Sequence, residues 1–509
     1  MNRDVVVIGA GHNGLVAACY LARAGFNVEV IERDSVIGGA VSTVERWPGV
    51  RVDRGSSIHV MVRHTTIVED LGLEEFGLVY DDVEPWAVLP HPSGSLRFVE
   101  DLDATCASIE AACGTGDADA YREFVHEWTP ATTTFLAAGS RVPTGRSLGG
   151  AVLSLRRQSA GSSGRLAQRA LQPAESEIAS RFADERLRAA LGWWAAQAGP
   201  PPHAVGTAPI AGTAAMFHLR RAGRPRGGSG RLSDALAARL VADGGTLRTA
   251  DAATAIVTGA KPAVLTASGE RIGCRAVLAA CHAVETARLA GDARAAEQVR
   301  VGHGLGMAIR LLTDALPEYP GAPSDTHSSM QFLVDSPDQL RRAYGAFLLG
   351  TAPTDPPMIV MTPTATDPTL APPDRHVVTV WAQWHPRHLD DGSWDDHRER
   401  VADGVISCVD RWAPGFAHSI VDRFIQTPLD LERDLGLTGG NVMHVETELD
   451  SLFSLRPLVG WSRYRTPHRG LYVCGASTHP GGGVWGASGR SAASVVRRDL
   501  TSRWRRAIG

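Results

Sequence analysis

The chain has 509 residues, of which 44% are apolar and 21% charged. That is the make-up of a soluble globular enzyme, not of a disordered or fibrous chain, and its length exceeds the roughly 100–200 residues of one domain, so two interlocked domains are expected. The net charge of −4 leaves no overall basic field to draw the protein onto nucleic acid.

Asp4-Val5-Val6-Val7-Ile8 is a β-branched run of the kind that forms a buried parallel strand. Gly9-Ala10-Gly11-His12-Asn13-Gly14 follows directly as G-x-G-x-x-G, then a helical pattern from Leu15 to Ala24 that Gly25 stops. Val28 to Ile31 predicts a second strand. It ends in Glu32, 18 positions after Gly14 and close to the roughly 20 of a dinucleotide fingerprint. Gly9 allows the tight turn, Gly11 lets a diphosphate rest on bare backbone, and Gly14 lets the helix approach the strand. The helix N-terminus then offers N–H groups and partial positive charge to phosphate. Glu32 would accept hydrogen bonds from an adenosine ribose. A second glycine pair, Gly38-Gly39-Ala40, lies just beyond it.

Segment 102–200 is rich in Ala, Arg and Glu with helical periods, and Ser159 to Gly164 reads as a mobile loop. Gly227-Gly228-Ser229-Gly230 follows no apolar strand and is not a second fingerprint; Arg231 to Ala242 is helical. Thr246 to Val264 predicts strands around a turn at Gly259-Ala260-Lys261-Pro262, and Arg275 to Ala280 a further strand. Gly304 to Leu312, His327 to Val334 and His376 to Gln383 suit an antiparallel sheet. Pro353 to Pro373 reads as an excursion with little regular structure. Near the C-terminus, Gly470 to Gly475 is a turn and a buried strand leading into Ala476-Ser477-Thr478-His479-Pro480-Gly481-Gly482-Gly483-Val484, then a helix from Trp485 to Arg498. A helix end behind a glycine crossing suits the negative charge of a reduced flavin.

Seven scattered cysteines, with no C-x-x-C, argue against a disulfide scaffold, a zinc site or a dithiol redox centre, and no other metal site is expected. A reducing cytoplasm is the expected home. No apolar stretch reaches the length of a membrane span, and the N-terminus is a poor signal peptide. Lys261 is the only lysine, which speaks against Schiff-base chemistry.

The two ends, Val7 to Leu15 and Gly475 to Val484, together resemble the phytoene desaturase-like FAD-dependent oxidoreductases, most closely the pyridine nucleotide-disulfide oxidoreductase domain-containing protein 2 branch. Asp53-Arg54-Gly55-Ser56-Ser57, Asp367 to Pro372, Leu455-Arg456-Pro457 and Tyr464 to Pro467 agree, so the resemblance spans nearly the whole chain. It implies an α/β fold: a Rossmann-like FAD-binding domain and a second, α+β substrate domain with a mixed or antiparallel sheet plus helices. The FAD domain is expected at 1–75, 225–300 and 458–509, and the substrate domain with its helical cap at 76–224 and 301–457. The implied FAD contacts are Gly9, Gly11, His12, Asn13, Gly14, Glu32, Arg33, Gly39, Ala40, Arg54, Gly55, Ser56, Gly475, Ala476, Gly483 and Val484. Ala253 is implied at the adenine end. Arg54 either touches phosphate or forms an ion pair.

With one nucleotide fingerprint, the electrons are expected to come from an organic small molecule, largely apolar, that gives hydride to the flavin and forms a C=C or C=N bond. O2, a quinone or another acceptor would reoxidise the flavin. Amine oxidation, and a non-redox isomerase or binding protein on the same scaffold, are the alternatives. His59 and His479 are candidate bases or else structural histidines. Trp461, Tyr464 and Trp485 wall a pocket or belong to the core. The basic tail, Arg497-Arg498 and Arg503 to Arg506, reads as a solvated helix face, with peripheral membrane contact as the alternative.

Overall fold

In the computed structural model, which describes residues 3–158 and 168–508, strand β1 (Arg3–Ile8) sits in the middle of a sheet. Val5, Val6 and Val7 are fully buried, because a parallel strand here is covered on both faces. β1 pairs parallel with β2 (Val28–Ile31) on one side and with the Arg271–Ala279 strand on the other. The latter serves two partners on its far edge. Its N-terminal half joins an antiparallel hairpin, Ala253–Val257 and Ala263–Thr266, and its C-terminal half pairs parallel with Leu471–Val473. Thr246–Arg248 closes the other edge beside β2.

Helix α1 (His12–Arg23) packs with the helices Gly230–Ala242 and Ala487–Ile508 in one apolar cluster on one face of this sheet. Smaller clusters on Val6, Ile8, Val277 and Ile256, and on Ala287, Trp461 and Val473, cover the other face. Helix α1 and the C-terminal helix approach closely at Gly489. A methyl at Gly489 would stand 2.1 Å from Asn13 O, so only glycine fits there.

A second seven-stranded sheet runs in the order Ile420–Gln426, Gly304–Thr313, His376–Pro386, Met358–Met361, Met330–Leu333, Ala87–Leu89, Leu96–Phe98. Its pairs are antiparallel except that of Met330–Leu333 with Ala87–Leu89. The Trp394–Trp412 helix packs on one face through Trp394, Val401, Val405 and Val409. The other face carries an aromatic core in which Trp86 stacks on Phe217, 4.1 Å between centroids and 5° apart in plane, under helices drawn from Leu102–Ala196. The fold is thus α/β, with mixed sheets and helices.

Two expectations are corrected. The Pro353–Pro373 stretch contains the strand Met358–Met361, buried inside the second sheet; its four apolar residues pair normally once Pro356 and Pro357 lie outside the ladder. The C-terminal helix starts at Ala487 and continues to Ile508. The Ser159–Gly164 loop lies outside the described residues, as do the side chains of Arg503 to Arg506. No helix among the described residues is long and apolar enough to cross a membrane.

Candidate functional site: a glycine cradle and a histidine seam

The two ends of the chain meet on one residue, Ala280, which follows the Arg271–Ala279 strand. Ala280 lies against three glycines: a Cβ at Gly9 would be 3.4 Å from its carbonyl carbon, one at Gly14 2.9 Å from its Cβ, and one at Gly475 3.1 Å from its oxygen. Gly9 and Gly475 hold φ of 100° and 101°, a region that costs an L side chain energy and glycine almost none. Cys474 N donates to Ala279 O at 2.8 Å and Gly475 N to Ser488 Oγ at 2.9 Å.

The rest of the cradle closes around Gly11. Gly38 bridges to it in parallel fashion, its N–H donating to Ala10 O at 2.9 Å. Gly55 and Ser56 fold onto Ala40, with Ser56 N donating to Ala40 O at 2.7 Å. Gly39 lies near enough that its Cβ would stand 3.9 Å from Gly11 Cα. In the opposite sense, a Cβ at Gly11 would meet nothing within 4 Å. Gly11 caps α1 with no side-chain bond, and the first turn of α1 carries no acidic residue. Among the described residues, the buried Asn13 Oδ1 and Ser57 Oγ have no hydrogen-bond partner. Open space above bare backbone, uncapped N–H groups and the unpaired Ser57 hydroxyl fit a dinucleotide diphosphate.

Glu32 stands at the end of β2 and accepts from Ala10 N at 2.7 Å and Asp34 N at 2.9 Å. Each oxygen keeps a lone pair for a ribose hydroxyl. Asp251 N donates to Glu32 O at 3.0 Å, which brings Ala253 to the same end of the sheet. Two arginines leave the cradle. Arg54 pairs with Asp34 at 2.8 Å and reaches Asp434 O at 3.3 Å, so of its two expected roles the structure shows the ion pair. Exposed Arg33 extends to Gly436, the C-terminal cap of the Pro428–Leu435 helix.

Neither candidate base is free. His59 is fully buried, with Nδ1 2.7 Å from Tyr80 Oη and Nε2 2.8 Å from Ser229 Oγ; burial pulls its pKa down to about 3. His479 puts Nε2 3.1 Å from Ala138 O and is likewise pushed down by burial. Both nitrogens of His59 are thus hydrogen-bonded, and His479 is tied to backbone through Nε2. Trp461, Tyr464 and Trp485 are 1%, 0% and 2% exposed and belong to the core, Tyr464 donating to His479 O at 2.8 Å.

At the C-terminal glycine turn, Gly483 is exposed. The nearest atoms to Cβ positions at Gly482 and Gly483 are Met443 Sδ at 2.9 Å and Met61 Cγ at 3.3 Å. Val484 follows in the left-handed region at φ 58°, a strained state for a β-branched residue. A surface hollow of about 380 Å³ beside Tyr80 and Arg220 shares no lining residue with the cradle.

Four residues given no role by the sequence reading stand beside the cradle: His282, His444, Arg456 and Ser477. The His282 and His444 rings stack at 5.3 Å and 13°. Arg456, 0% exposed, has no ion-pair partner among the described residues. Instead it donates to the carbonyls of Met443, Val445, Glu446 and Ala476, binding the segment around His444 to the C-terminal loop. Burial lowers its pKa to about 10. Arg456 lies within the noted Leu455-Arg456-Pro457 stretch. The histidines are 162 positions apart in sequence and carry no local signal.

Comparison with known proteins agrees with this geometry. A family model described as flavin containing amine oxidoreductase matches residues 14–497. The chain is 34% identical over 548 aligned positions to the mouse (Mus musculus) pyridine nucleotide-disulfide oxidoreductase domain-containing protein 2, covering 98% of this chain and 94% of that one. It is 28% identical to a phytoene dehydrogenase of Streptomyces griseus, covering 94% and 92%. Among solved structures, an oxidoreductase from Methanosarcina mazei superposes with a TM-score of 0.63 at 17% identity, covering 97% of this chain and all of that one.

Proposed function

The chain belongs to the flavin-containing amine oxidoreductase family and is an FAD-dependent oxidoreductase; from that premise we propose that it dehydrogenates a largely apolar organic molecule, forming a C=C bond. FAD, when bound, accepts the hydride and so supplies the redox chemistry. The protein's own part is to hold, orient and exclude water. The cradle of Gly9 to Gly14 and Gly475 would hold the diphosphate, Glu32 the ribose, and the turn at Gly481 to Val484 the ring.

The observation that carries the apolar reading is the pair Met61 and Met443 at the open Gly482–Gly483 turn. Thioether and methylene groups adapt to a hydrocarbon surface and offer a cationic amine little. With FAD bound, a substrate hydride would pass to it and the matching proton to solvent, both ring nitrogens of His59 being hydrogen-bonded already. O2, a quinone or another acceptor would take up the two electrons. A reducing compartment such as the cytoplasm suits the seven free thiols.

The test is anaerobic mixing of the FAD-loaded protein with unsaturated hydrocarbons and, separately, with primary amines. Bleaching of the flavin band by the hydrocarbons is expected. Bleaching by amines alone, with peroxide formed once O2 is admitted, would select amine oxidation instead. A hydrocarbon retained by the protein with the flavin unbleached would select isomerisation or binding.

A further inference from the structure

We propose that His444 is a neutral hydrogen-bond donor to the diphosphate–ribityl portion of bound FAD, with its tautomer set by Ser477 and its backbone held by His282. His444 has φ 65°, a left-handed state that costs a non-glycine residue about 1–3 kcal/mol unless the surroundings enforce it. Here they do. Nε2 of His282 lies 2.9 Å from His444 O, and Arg456 grips the carbonyls on either side, Met443 O at 2.6 Å and Val445 O at 3.2 Å.

The proton positions follow from the partners. Val284 N donates to His282 Nδ1 at 3.2 Å, so His282 carries its proton on Nε2 and donates it to His444 O. Ala283 N donates to Ser477 Oγ at 3.1 Å, and His444 Nδ1, 3.3 Å away, is the one acceptor near the Ser477 hydroxyl proton among the described residues. With that proton given to Nδ1, His444 carries its own on Nε2. That atom has no hydrogen-bond partner among the described residues, and the residue is half-buried. Burial and the neighbours that face it, His282 on the post-strand helix, Arg456 on the 449–457 segment and His12 on the glycine turn, all oppose its protonation and hold its pKa well below the usual histidine range. A ring so placed donates and does not titrate near neutrality. Ser477, which His444 meets at 3.3 Å, lies two residues beyond Gly475 of the cradle, so the acceptor assigned to it is an oxygen of the diphosphate–ribityl part of the cofactor.

The inference rests on FAD being the cofactor, and the experiment separates the two. Protein stripped of FAD is titrated with FAD by fluorescence quenching, and its melting temperature is measured without cofactor. His444→Gly suits the backbone at φ 65° and removes the donor. We expect unchanged or raised melting of the apoprotein and at least a tenfold weaker FAD affinity, the size of a lost bond to a charged group. His444→Gln, which keeps an N–H, should recover most of the loss. Ser477→Ala should fall between. Wild-type affinity should be flat from about pH 6 to about pH 9, where a titrating imidazole would show a step. Equal FAD affinity of His444→Gly and wild type, or a step near neutrality that His444→Gln abolishes, would overturn the proposal. Failure of the wild-type apoprotein to bind FAD at all would instead overturn the cofactor assignment.

Discussion

The glycine cradle and the seam where the second sheet meets it are built by opposite means. The cradle is backbone: glycines, a helix N-terminus and amides, most of them within residues 9–56. The seam is buried side chains brought from far apart. In it Asp53 pairs with Arg224 at 2.8 Å and accepts from Ser229 N at 2.9 Å and Thr43 Oγ1 at 2.7 Å. Arg310, 1% exposed, donates to Asp53 O at 3.1 Å and Gln426 Oε1 at 2.6 Å, and burial lowers its pKa to about 10. His59 extends the same polar layer through Ser229 Oγ, 2.8 Å from its Nε2. A backbone cradle is sensitive above all to added volume, as at Gly14, and a buried polar seam above all to the loss of a partner.

That contrast is open to direct attack. The largest effect is expected in the seam. Asp53→Ala leaves the buried Arg224 guanidinium uncompensated and should cost about 3–5 kcal/mol, read as a drop in the chemical-denaturation midpoint. A loss below about 1 kcal/mol would mean that the pair is wetter than its burial shows. Next comes volume in the helix crossing: Gly489→Ala places a methyl 2.1 Å from Asn13 O and should cost about 1–3 kcal/mol, with FAD lost on purification as α1 moves off the cradle.

A third test uses acidity. Burial holds His59 neutral down to about pH 3 and His282 to about pH 4, whereas in the unfolded chain both take a proton near pH 6.5. Their depressed values mean that stability is intact above about pH 6.5 and declines as pH falls toward 4, because the unfolded state then binds more protons. Thermal melting should track that fall, and a His59→Gln variant should flatten it. The smallest change in stability is expected at Gly11→Ala. Its φ of −63° suits alanine and its Cβ meets nothing, so the apoprotein should stay within about 0.5 kcal/mol of wild type. FAD binding should nonetheless weaken, because that methyl takes the phosphate's space. Apoprotein and holoprotein melting curves together check both halves.

Much of the cradle was legible in the chain because its parts are local. The run Val5 to Ile8, the spacing of Gly9, Gly11 and Gly14, and Glu32 after the next strand each follow from what backbone near a diphosphate requires. Arg54 was legible only as a choice, since its partner Asp34 competes with phosphate. His59 and His479 drew notice as titratable groups near motifs, and only their neighbours in the fold, Tyr80, Ser229 and Ala138 O, show the hydrogen bonds they make. The strand at Met358–Met361 hid among prolines, because its pairing depends on strands from elsewhere in the chain.

The sequence by itself determined the nucleotide turn, because short-range patterns of glycine, β-branched residues and one acid suffice to state it, and the resemblance carried by its two ends added the fold class and FAD chemistry. Only the tertiary structure decided that Ala280 is where both chain ends converge, that Arg456 serves carbonyls in place of an acid, and that His282 and His444 stack. Contacts across 162 positions leave no periodicity to read: they exist only once the two sheets have closed on each other and water has been removed from between them.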